Sequence, residues 1–218
     1  MARLLVFDLD GTLVDSSLDI AASANAAIRR VAPGTAEIPL AVILSFVGEG
    51  AHLLVERALR HAGLDLPADE VLPVYIECYA ERLLDTTRLY PGVAEALDAL
   101  AGPALAVLTN KPGDFSRRIL EGLGVARRFA RVWGAGDVPS RKPDPAGLLR
   151  LMDELGATTA DTWMVGDSAT DVGAGRAAGV KVAGVLWGFN PAGLRAAGPD
   201  RLIGDPLALL SLAARQAI

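Results

Sequence analysis

Short apolar runs recur along the chain, with helix-like stretches of mixed polarity between them. The first run lies near the N-terminus, and the later ones follow only after residue 100. Short, continuous apolar runs are typical of strands that are buried on both faces of a sheet. The predicted strands are Arg3–Phe7, Ala104–Leu108, Arg131–Trp133, Thr162–Gly166 and Lys181–Leu186.

Helical periodicity fills the intervals between the later strands. The predicted helices of this part are Val93–Leu100, Asp114–Leu123, Pro145–Leu155, Thr170–Ala178 and Leu207–Ala213. Strands that alternate with helices along a chain indicate a parallel sheet with crossover helices. The predicted fold class is therefore α/β, with a Rossmann-like parallel sheet as its core.

The stretch from residue 16 to residue 87 shows helical patterns and no convincing strand. Its predicted helices are one that Ser16 or Ser17 caps and that reaches Val31, followed by Leu40–Val47, Ala51–His61 and Ala68–Leu84. We interpret this stretch as an all-helical cap inserted after the first strand. Residues 1–15 and 88–218 then form the core domain and residues 16–87 the cap domain, with hinges near residues 14–17 and 85–90.

Two acids follow the first predicted strand. Asp8 and Asp10 are two residues apart, so their carboxyl groups lie on the same side of the chain, and Gly11 and Thr12 come next. Ligands bind at the carboxyl ends of the strands in open α/β sheets. Two neighbouring carboxylates repel each other and need a cation, a shared proton or both. Any one of these residues alone would fit a polar turn, but the four together predict an active site.

Further candidate site residues occur later in the chain. Thr109 offers a hydroxyl to a phosphoryl oxygen, although a strand-ending turn is the alternative. Lys142 precedes Pro143, and a stiff loop there would hold an ammonium near a carboxylate or a phosphoryl group; a solvated basic loop is the alternative. Asp167 and Asp171 complete an acidic cluster that suits Mg²⁺, which prefers oxygen ligands.

The run Asp8-Leu9-Asp10-Gly11-Thr12-Leu13-Val14-Asp15-Ser16 resembles the first motif of the haloacid dehalogenase-like hydrolase superfamily. Most members of that superfamily are magnesium-dependent phosphatases. The resemblance implies that Asp8 is the nucleophile, which forms an aspartyl-phosphate, and that Asp10 is the general acid and base. The dehalogenases of the superfamily lack the second acid, so Asp10 argues against that activity.

The other motifs of the superfamily have counterparts further along the chain. Thr109 resembles the second motif, Lys142 in Lys-Pro-x-Pro the third, and Asp167 and Asp171 in Gly-Asp-x-x-x-Asp the fourth. The resemblance implies that Thr109 and Lys142 bind the phosphoryl group. It also implies a Mg²⁺ site formed by Asp8, the Asp10 main-chain carbonyl and Asp167, with Asp171 orienting the metal-bound waters.

Three segments resemble bacterial phosphoglycolate phosphatases more specifically. They are Thr109-Asn110-Lys111-Pro112, the predicted cap segment that begins Phe46-Val47-Gly48-Glu49-Gly50, and Gly188-Phe189-Asn190, in which Phe189 replaces the tyrosine of that family. This implies 2-phosphoglycolate as substrate. Asn110 is predicted to bind it, the backbone at Gly48 to contact its non-phosphate end, and Arg57 to pair with its carboxylate. A plain interhelical turn at Gly48 and a surface ion pair at Arg57 stay open as alternatives. So do a sugar phosphomutase of the β-phosphoglucomutase type and, less favoured, a phospho-accepting receiver-like regulator.

Composition, net charge and cysteine content predict the cellular location and the class of binding partner. The 218 residues are 51% hydrophobic and 22% charged, as in globular proteins, and the net charge of −5 argues against a general nucleic-acid binder. Cys78 is the only cysteine, so no internal disulfide can form and a cytoplasmic location is predicted. No apolar run reaches the roughly 18 residues of a membrane span. We therefore expect a monomer or homodimer that acts on a small phosphorylated metabolite, without nucleic-acid or membrane partners.

Overall fold

Six parallel strands form the main sheet of the protein, and helices cover both of its faces. The computed structural model describes residues 2–214; Met1 and residues 215–218, which the sequence analysis assigns to the core domain, lie outside the described residues. The strands are β1 Leu4–Phe7, β2 Val14–Asp15, β3 Arg88–Leu89, β4 Ala104–Pro112, β5 Arg131–Ala135, β6 Thr162–Gly166, β7 Lys181–Val185 and β8 Arg201–Ile203. The helices are α1 Ser17–Val31, α2 Leu40–Leu44, α3 Ala51–His61, α4 Ala68–Ala80, α5 Val93–Ala99, α6 Gly113–Gly122, α7 Ala146–Glu154, α8 Ala169–Ala178, α9 Pro191–Ala197 and α10 Leu210–Ala213.

The strand order of the main sheet is β5-β4-β1-β6-β7-β8, which places β1 in the interior of the sheet. Successive residues of β1 face opposite sides. Leu5 and Phe7 belong to the same buried cluster as α5, α6 and α10, whereas Leu4 and Val6 belong to the cluster of α7, α8 and α9. Burial on both faces explains why these strands are apolar throughout. The predicted α/β fold with a Rossmann-like parallel core is confirmed.

The segment that contains α1–α4 is an insertion that begins and ends at the same place in the structure. The strands β2 and β3 pair in antiparallel fashion, with Val14 opposite Leu89 and Asp15 opposite Arg88, and the helices α1–α4 lie between them in the chain. In the first turn of α1, the buried Asp19 carboxylate accepts hydrogen bonds from the backbone and hydroxyl groups of Thr86 and Thr87. This carboxylate therefore joins the start of the helical insertion to its end.

Several predicted element ends differ from the structure. The helix α2 stops at Leu44 instead of Val47 because turns follow, and Gly48 has a φ of 122° that cannot continue a helix. The helix α4 stops at Ala80 instead of Leu84, where the Arg82 guanidinium donates to the Cys78 carbonyl oxygen at 3.0 Å and satisfies a terminal carbonyl.

The sequence predicts that Ser16 or Ser17 caps α1, and Ser16 is the N-cap residue, but its side chain makes no capping hydrogen bond. The Ser16 hydroxyl donates to Asp10 Oδ1 at 2.5 Å, and Asp15 Oδ1 instead accepts from the Ser17 backbone N–H at 3.0 Å. The predicted helix at Leu207–Ala213 is a 3₁₀ turn over Pro206–Leu209 followed by α10. Within residues 2–214, no helix combines the length and the apolar character that crossing a membrane requires.

Candidate active site

Three buried acids meet at the carboxyl ends of two neighbouring strands. Asp8 follows β1 and Asp167 follows β6, and the two strands pair in parallel, so their ends lie side by side. Asp171 lies in the first turn of α8. One carboxylate oxygen from each of the three residues lies within 4.8 Å of the others, and all three residues are at least nine-tenths buried. The structure thus brings together acids that are far apart in the chain.

Burial and mutual repulsion disfavour the charged forms of Asp8 and Asp167. Burial raises the pKa of Asp8 to about 6, with Lys142 opposing the rise and Asp171 adding to it. Burial likewise raises the pKa of Asp167 well above its usual value, and the charges of Asp171 and Asp8 add to this effect. Removing water and crowding like charges both act in this direction. A bound cation would relieve the repulsion.

Lys142 supplies one buried positive charge to the cluster. Its Nζ lies 2.6 Å from Asp171 Oδ1 and 2.9 Å from Asp8 Oδ1. Burial lowers the pKa of Lys142, but the two carboxylates outweigh burial and leave it raised. The other oxygen of Asp171 accepts from the Ser168 hydroxyl at 2.6 Å and from the Ser168 backbone N–H at 3.1 Å. With both of its oxygens engaged, Asp171 is suited to positioning Lys142.

The donor set fits a hard divalent cation. Within residues 2–214, the buried Oδ1 of Asp8 accepts no hydrogen bond, and its ion pair with Lys142 is its polar contact. The main-chain carbonyl oxygen of Asp10 likewise accepts no hydrogen bond from a described residue. A Cβ added at Gly11 or at Gly188 would overlap the Asp167 carboxylate, so two glycines leave room for this acid. The site has four acids and two lysines that are buried or nearly so, and the two negative charges by which the acids exceed the lysines match one divalent cation. Those acids and lysines are Asp8, Asp10, Asp167, Asp171, Lys111 and Lys142.

Asp10 has a separate environment from the three-acid cluster. Lys111 Nζ lies 2.9 Å from both carboxylate oxygens of Asp10, and the Ser16 hydroxyl donates to one of them. Lys111 was not assigned a site role from the sequence. Its place two residues after Thr109, on the same side of β4, is the signal that could have identified it.

Thr109 and Asn110 lie near the end of β4, beyond the strand end at Leu108 that the sequence predicts. Thr109 is buried, and its hydroxyl oxygen accepts from the Lys111 backbone N–H at 3.3 Å. The Asn110 amide nitrogen donates to the Gly48 carbonyl at 2.9 Å and to the Lys142 carbonyl at 2.8 Å, and its amide oxygen accepts from the Lys142 N–H. Asn110 therefore connects the Lys142 loop to the helical insertion.

A cavity of about 240 Å³ separates the helical insertion from the ends of the strands. Among the predicted site residues, those that line it are Asp8, Asp10, Gly48, Arg57, Thr109, Asn110 and Asp167. Lys142 and Asp171 are outside the described lining; Lys142 contacts Asp8, and Asp171 contacts Lys142. Arg57 donates to Glu49 at 2.5 Å, and both side chains are partly exposed, which is the ion pair that the sequence left open.

Comparison with known proteins identifies the family. The sequence model of the haloacid dehalogenase-like hydrolases matches residues 5–185, which is most of the chain. The chain belongs to the haloacid dehalogenase-like hydrolase family. The resemblance seen in the first motif is thereby confirmed, and this hydrolase is an enzyme of the class that the sequence predicted.

Several relatives of this hydrolase are named phosphoglycolate phosphatase. A phosphoglycolate phosphatase of Pseudomonas putida is 38% identical over 96% of this chain and 79% of its own length. A phosphoglycolate phosphatase of Haemophilus influenzae is 37% identical over 96% of this chain and 97% of its own length. A crystal structure described as that of a predicted phosphoglycolate phosphatase from Haemophilus somnus 129pt has a TM-score of 0.91 and 33% identity, and the match covers 98% of each chain.

Proposed function

We propose that this hydrolase is a Mg²⁺-dependent phosphatase that hydrolyses 2-phosphoglycolate through a phosphorylated Asp8. The observation that carries the proposal is the position of Asp8. It is buried at the wall of the cavity, and its buried Oδ1 has the Lys142 ammonium, at 2.9 Å, as its polar contact among the described residues. The names of the relatives supply the substrate, and a small cavity suits a small phosphomonoester. A cytoplasmic monomer or homodimer remains part of the proposal.

Asp8 attacks the phosphorus atom in the first step. A bond forms between a carboxylate oxygen of Asp8 and phosphorus, and the bond between phosphorus and the bridging oxygen breaks. Asp10 gives a proton to the departing oxygen, so that an alcohol leaves instead of an alkoxide. In the second step Asp10 takes a proton from water, the water oxygen binds phosphorus, and the bond to Asp8 breaks. Phosphate leaves and Asp8 is restored.

The remaining residues bind and position the phosphoryl group. Lys142 offers its ammonium beside Asp8, Thr109 offers a hydroxyl from the cavity wall, and Asp171 keeps Lys142 in place. Mg²⁺, held by Asp8, the Asp10 carbonyl oxygen and Asp167, would supply charge that lets two anions approach. Most of the acceleration then comes from positioning and electrostatic stabilisation, as is usual in phosphoryl transfer.

The test is a comparison of initial rates of phosphate release across a panel of substrates. The panel contains 2-phosphoglycolate, β-glucose 1-phosphate and simple sugar phosphates, each with Mg²⁺ or with EDTA. The enzymes are wild type, Asp8→Asn and the matched control Asp153→Asn, which changes an exposed acid on α7. We expect 2-phosphoglycolate to lead in kcat/KM by roughly tenfold or more, a difference of about 1.4 kcal/mol. We also expect EDTA and Asp8→Asn to abolish activity and the control to retain it.

Two results would contradict the proposal. Equal rates across the panel would remove 2-phosphoglycolate as the substrate and leave the phosphatase chemistry standing. Activity that survives both EDTA and Asp8→Asn would remove Asp8 as the nucleophile and Mg²⁺ as the cofactor.

A further inference from the structure

Lys111 places a buried ammonium on the cavity wall, and the roles proposed above for Asp8, Asp10, Thr109 and Lys142 leave it without a task. Its side chain is only 5% exposed. The Nζ atom lies 2.9 Å from both oxygens of Asp10 and 4.3 Å from the centre of the Tyr79 ring, which belongs to α4. The ammonium is thus held between a carboxylate of the sheet side and an aromatic ring of the helical insertion.

The cavity wall offers few positive charges to a substrate. Among the described lining residues, the cationic side chains are Lys111 and Arg57. Arg57 pairs with Glu49, which also lines the cavity, and their side chains are 30% and 45% exposed, so water screens them. Lys111 is shielded from water and therefore interacts more strongly with an anion that enters the cavity.

The position of Lys111 relative to Asp10 fixes which part of the substrate it can reach. Asp10 must contact the bridging oxygen in order to protonate it, and Lys111 Nζ lies within hydrogen-bond distance of Asp10. In 2-phosphoglycolate the carboxylate carbon is two bonds from that bridging oxygen. An ammonium has three N–H donors, so Lys111 can keep one hydrogen bond to Asp10 and give another to the substrate carboxylate.

We infer that Lys111 binds the carboxylate of the substrate and thereby selects phosphomonoesters whose leaving group has an acid next to the bridging oxygen. This inference rests on the proposed phosphatase function and on the role of Asp10 within it. A charge-assisted hydrogen bond in a buried site gives the binding its strength. When the leaving group has no carboxylate, Lys111 contacts only Asp10 and contributes no binding energy to the substrate.

Three substrates separate recognition of the carboxylate from simple positioning of Asp10. The first is 2-phosphoglycolate, which needs an acid catalyst and has the carboxylate. The second is ethyl phosphate, which needs the acid and lacks the carboxylate. The third is p-nitrophenyl phosphate, whose leaving group needs no proton. Its rate reports that the folded enzyme still phosphorylates Asp8.

The variants are Lys111→Gln, Lys111→Arg and the control Lys181→Gln, which changes an exposed lysine at the start of β7. For Lys111→Gln we expect the ratio of kcat/KM for 2-phosphoglycolate over ethyl phosphate to fall roughly tenfold or more, which corresponds to about 1.4 kcal/mol. Lys111→Arg keeps a cation and is expected to retain most of the ratio. Lys181→Gln is expected to leave it unchanged.

Each other outcome overturns a defined statement. A loss in Lys111→Gln that is equal for 2-phosphoglycolate and ethyl phosphate, with p-nitrophenyl phosphate spared, would make Lys111 a positioning residue for Asp10 and overturn the inference. A wild-type enzyme that prefers 2-phosphoglycolate, with the preference intact in Lys111→Gln, would overturn the inference and leave the proposed function standing. A wild-type enzyme without the preference would overturn the proposed substrate itself.

Discussion

The Asn110 side chain holds the backbone of Lys142 by both of its hydrogen-bonding groups, at 2.8 Å each. The same amide nitrogen reaches the Gly48 carbonyl in the helical insertion. The Lys142 ammonium lies at the other end of that residue, against Asp8. Asn110 therefore fixes the position of Lys142 next to Asp8 without contacting Asp8 itself.

We expect Asn110→Ala to lower kcat roughly 10- to 100-fold, because small displacements of a catalytic group have costs of that size. Asn25→Ala is the matched control. Asn25 makes the same pair of hydrogen bonds with the backbone of Ile38, and it lies outside the described lining of the cavity. Both variants are expected to lose about 1–3 kcal/mol of unfolding free energy. Rates measured beside urea unfolding would separate the two effects, and equal kcat losses would contradict a specific role for Asn110.

Gly11→Ala tests the packing around the proposed metal site. Gly11 has a φ of 79°, and an added Cβ would overlap the Asp167 carboxylate. We expect the Mg²⁺ concentration for half-maximal activity to rise by about 10- to 100-fold, as for other changes around metal ligands. Gly34→Ala is the control, because Gly34 has a φ of 89° and no atom within 4 Å of an added Cβ. It should lose about 1–2 kcal/mol of stability through backbone strain alone, with unchanged Mg²⁺ dependence.

Asp19 is expected to make a pH-dependent contribution to stability. Burial raises its pKa, but the hydrogen bonds from Thr86 and Thr87 outweigh burial, and the pKa is lowered from 3.8. A carboxyl whose pKa is lower in the folded state stabilises the protein above its unfolded pKa, and this contribution is lost as the pH falls through the folded value.

Asp19→Asn should therefore reduce the unfolding free energy by about 1–3 kcal/mol at neutral pH. The difference from wild type should shrink as the pH falls below about 4, the ordinary aspartate range. Urea unfolding of both proteins across this range measures it. A difference that stays constant with pH would show that the Asp19 charge does not contribute.

The ring of Tyr79 contacts Tyr75 and Lys111, whereas its hydroxyl has no hydrogen-bond partner among the described residues. The ring stacks on Tyr75 with 5.9 Å between centroids and covers the Lys111 ammonium. We expect Tyr79→Phe to keep activity and to be neutral or slightly stabilising, because an unsatisfied buried hydroxyl costs free energy.

Tyr79→Leu removes the aromatic contacts and should cost about 2 kcal/mol or more of unfolding free energy. It should also weaken any preference for 2-phosphoglycolate, because Lys111 loses the ring that holds it. Melting temperatures and kcat/KM values for both variants provide the check. A large activity loss in Tyr79→Phe would instead assign the hydroxyl a part in the reaction.

The core of the fold could be predicted because its strands are apolar on both faces and its helices are amphipathic. The sequence predicted all five of the longer strands, and Thr162–Gly166 has the predicted bounds. The strands β2, β3 and β8 are only two or three residues long, too short for any periodicity to be seen. The helix α9 was also missed, since its seven residues after Asn190 contain a proline, a glycine and a single large apolar residue, Leu194.

The site residues could be predicted where their role follows from the residue type and from a position directly after a strand. Asp8 and Asp167 lie together for that reason. The partners of those residues follow from packing between distant segments. Nothing in the local pattern indicates that Ser16 turns back to Asp10, or that Asn110 uses its whole amide on Lys142 and Gly48. The separate roles of the site residues remain predictions.

The order of the strands in the sheet has a consequence for synthesis of the enzyme. The residues of the site come from β1, from β4 and from the end of β6, which are neighbours in space and far apart in the chain. Contacts of this kind require closure of long loops, and they form late in folding. A chain still emerging from the ribosome would present Asp8 and Asp10 as ordinary hydrated acids until the segment with Asp167 has been translated and paired. The enzyme would therefore acquire its reactivity only after β6 has been made and has paired with β1.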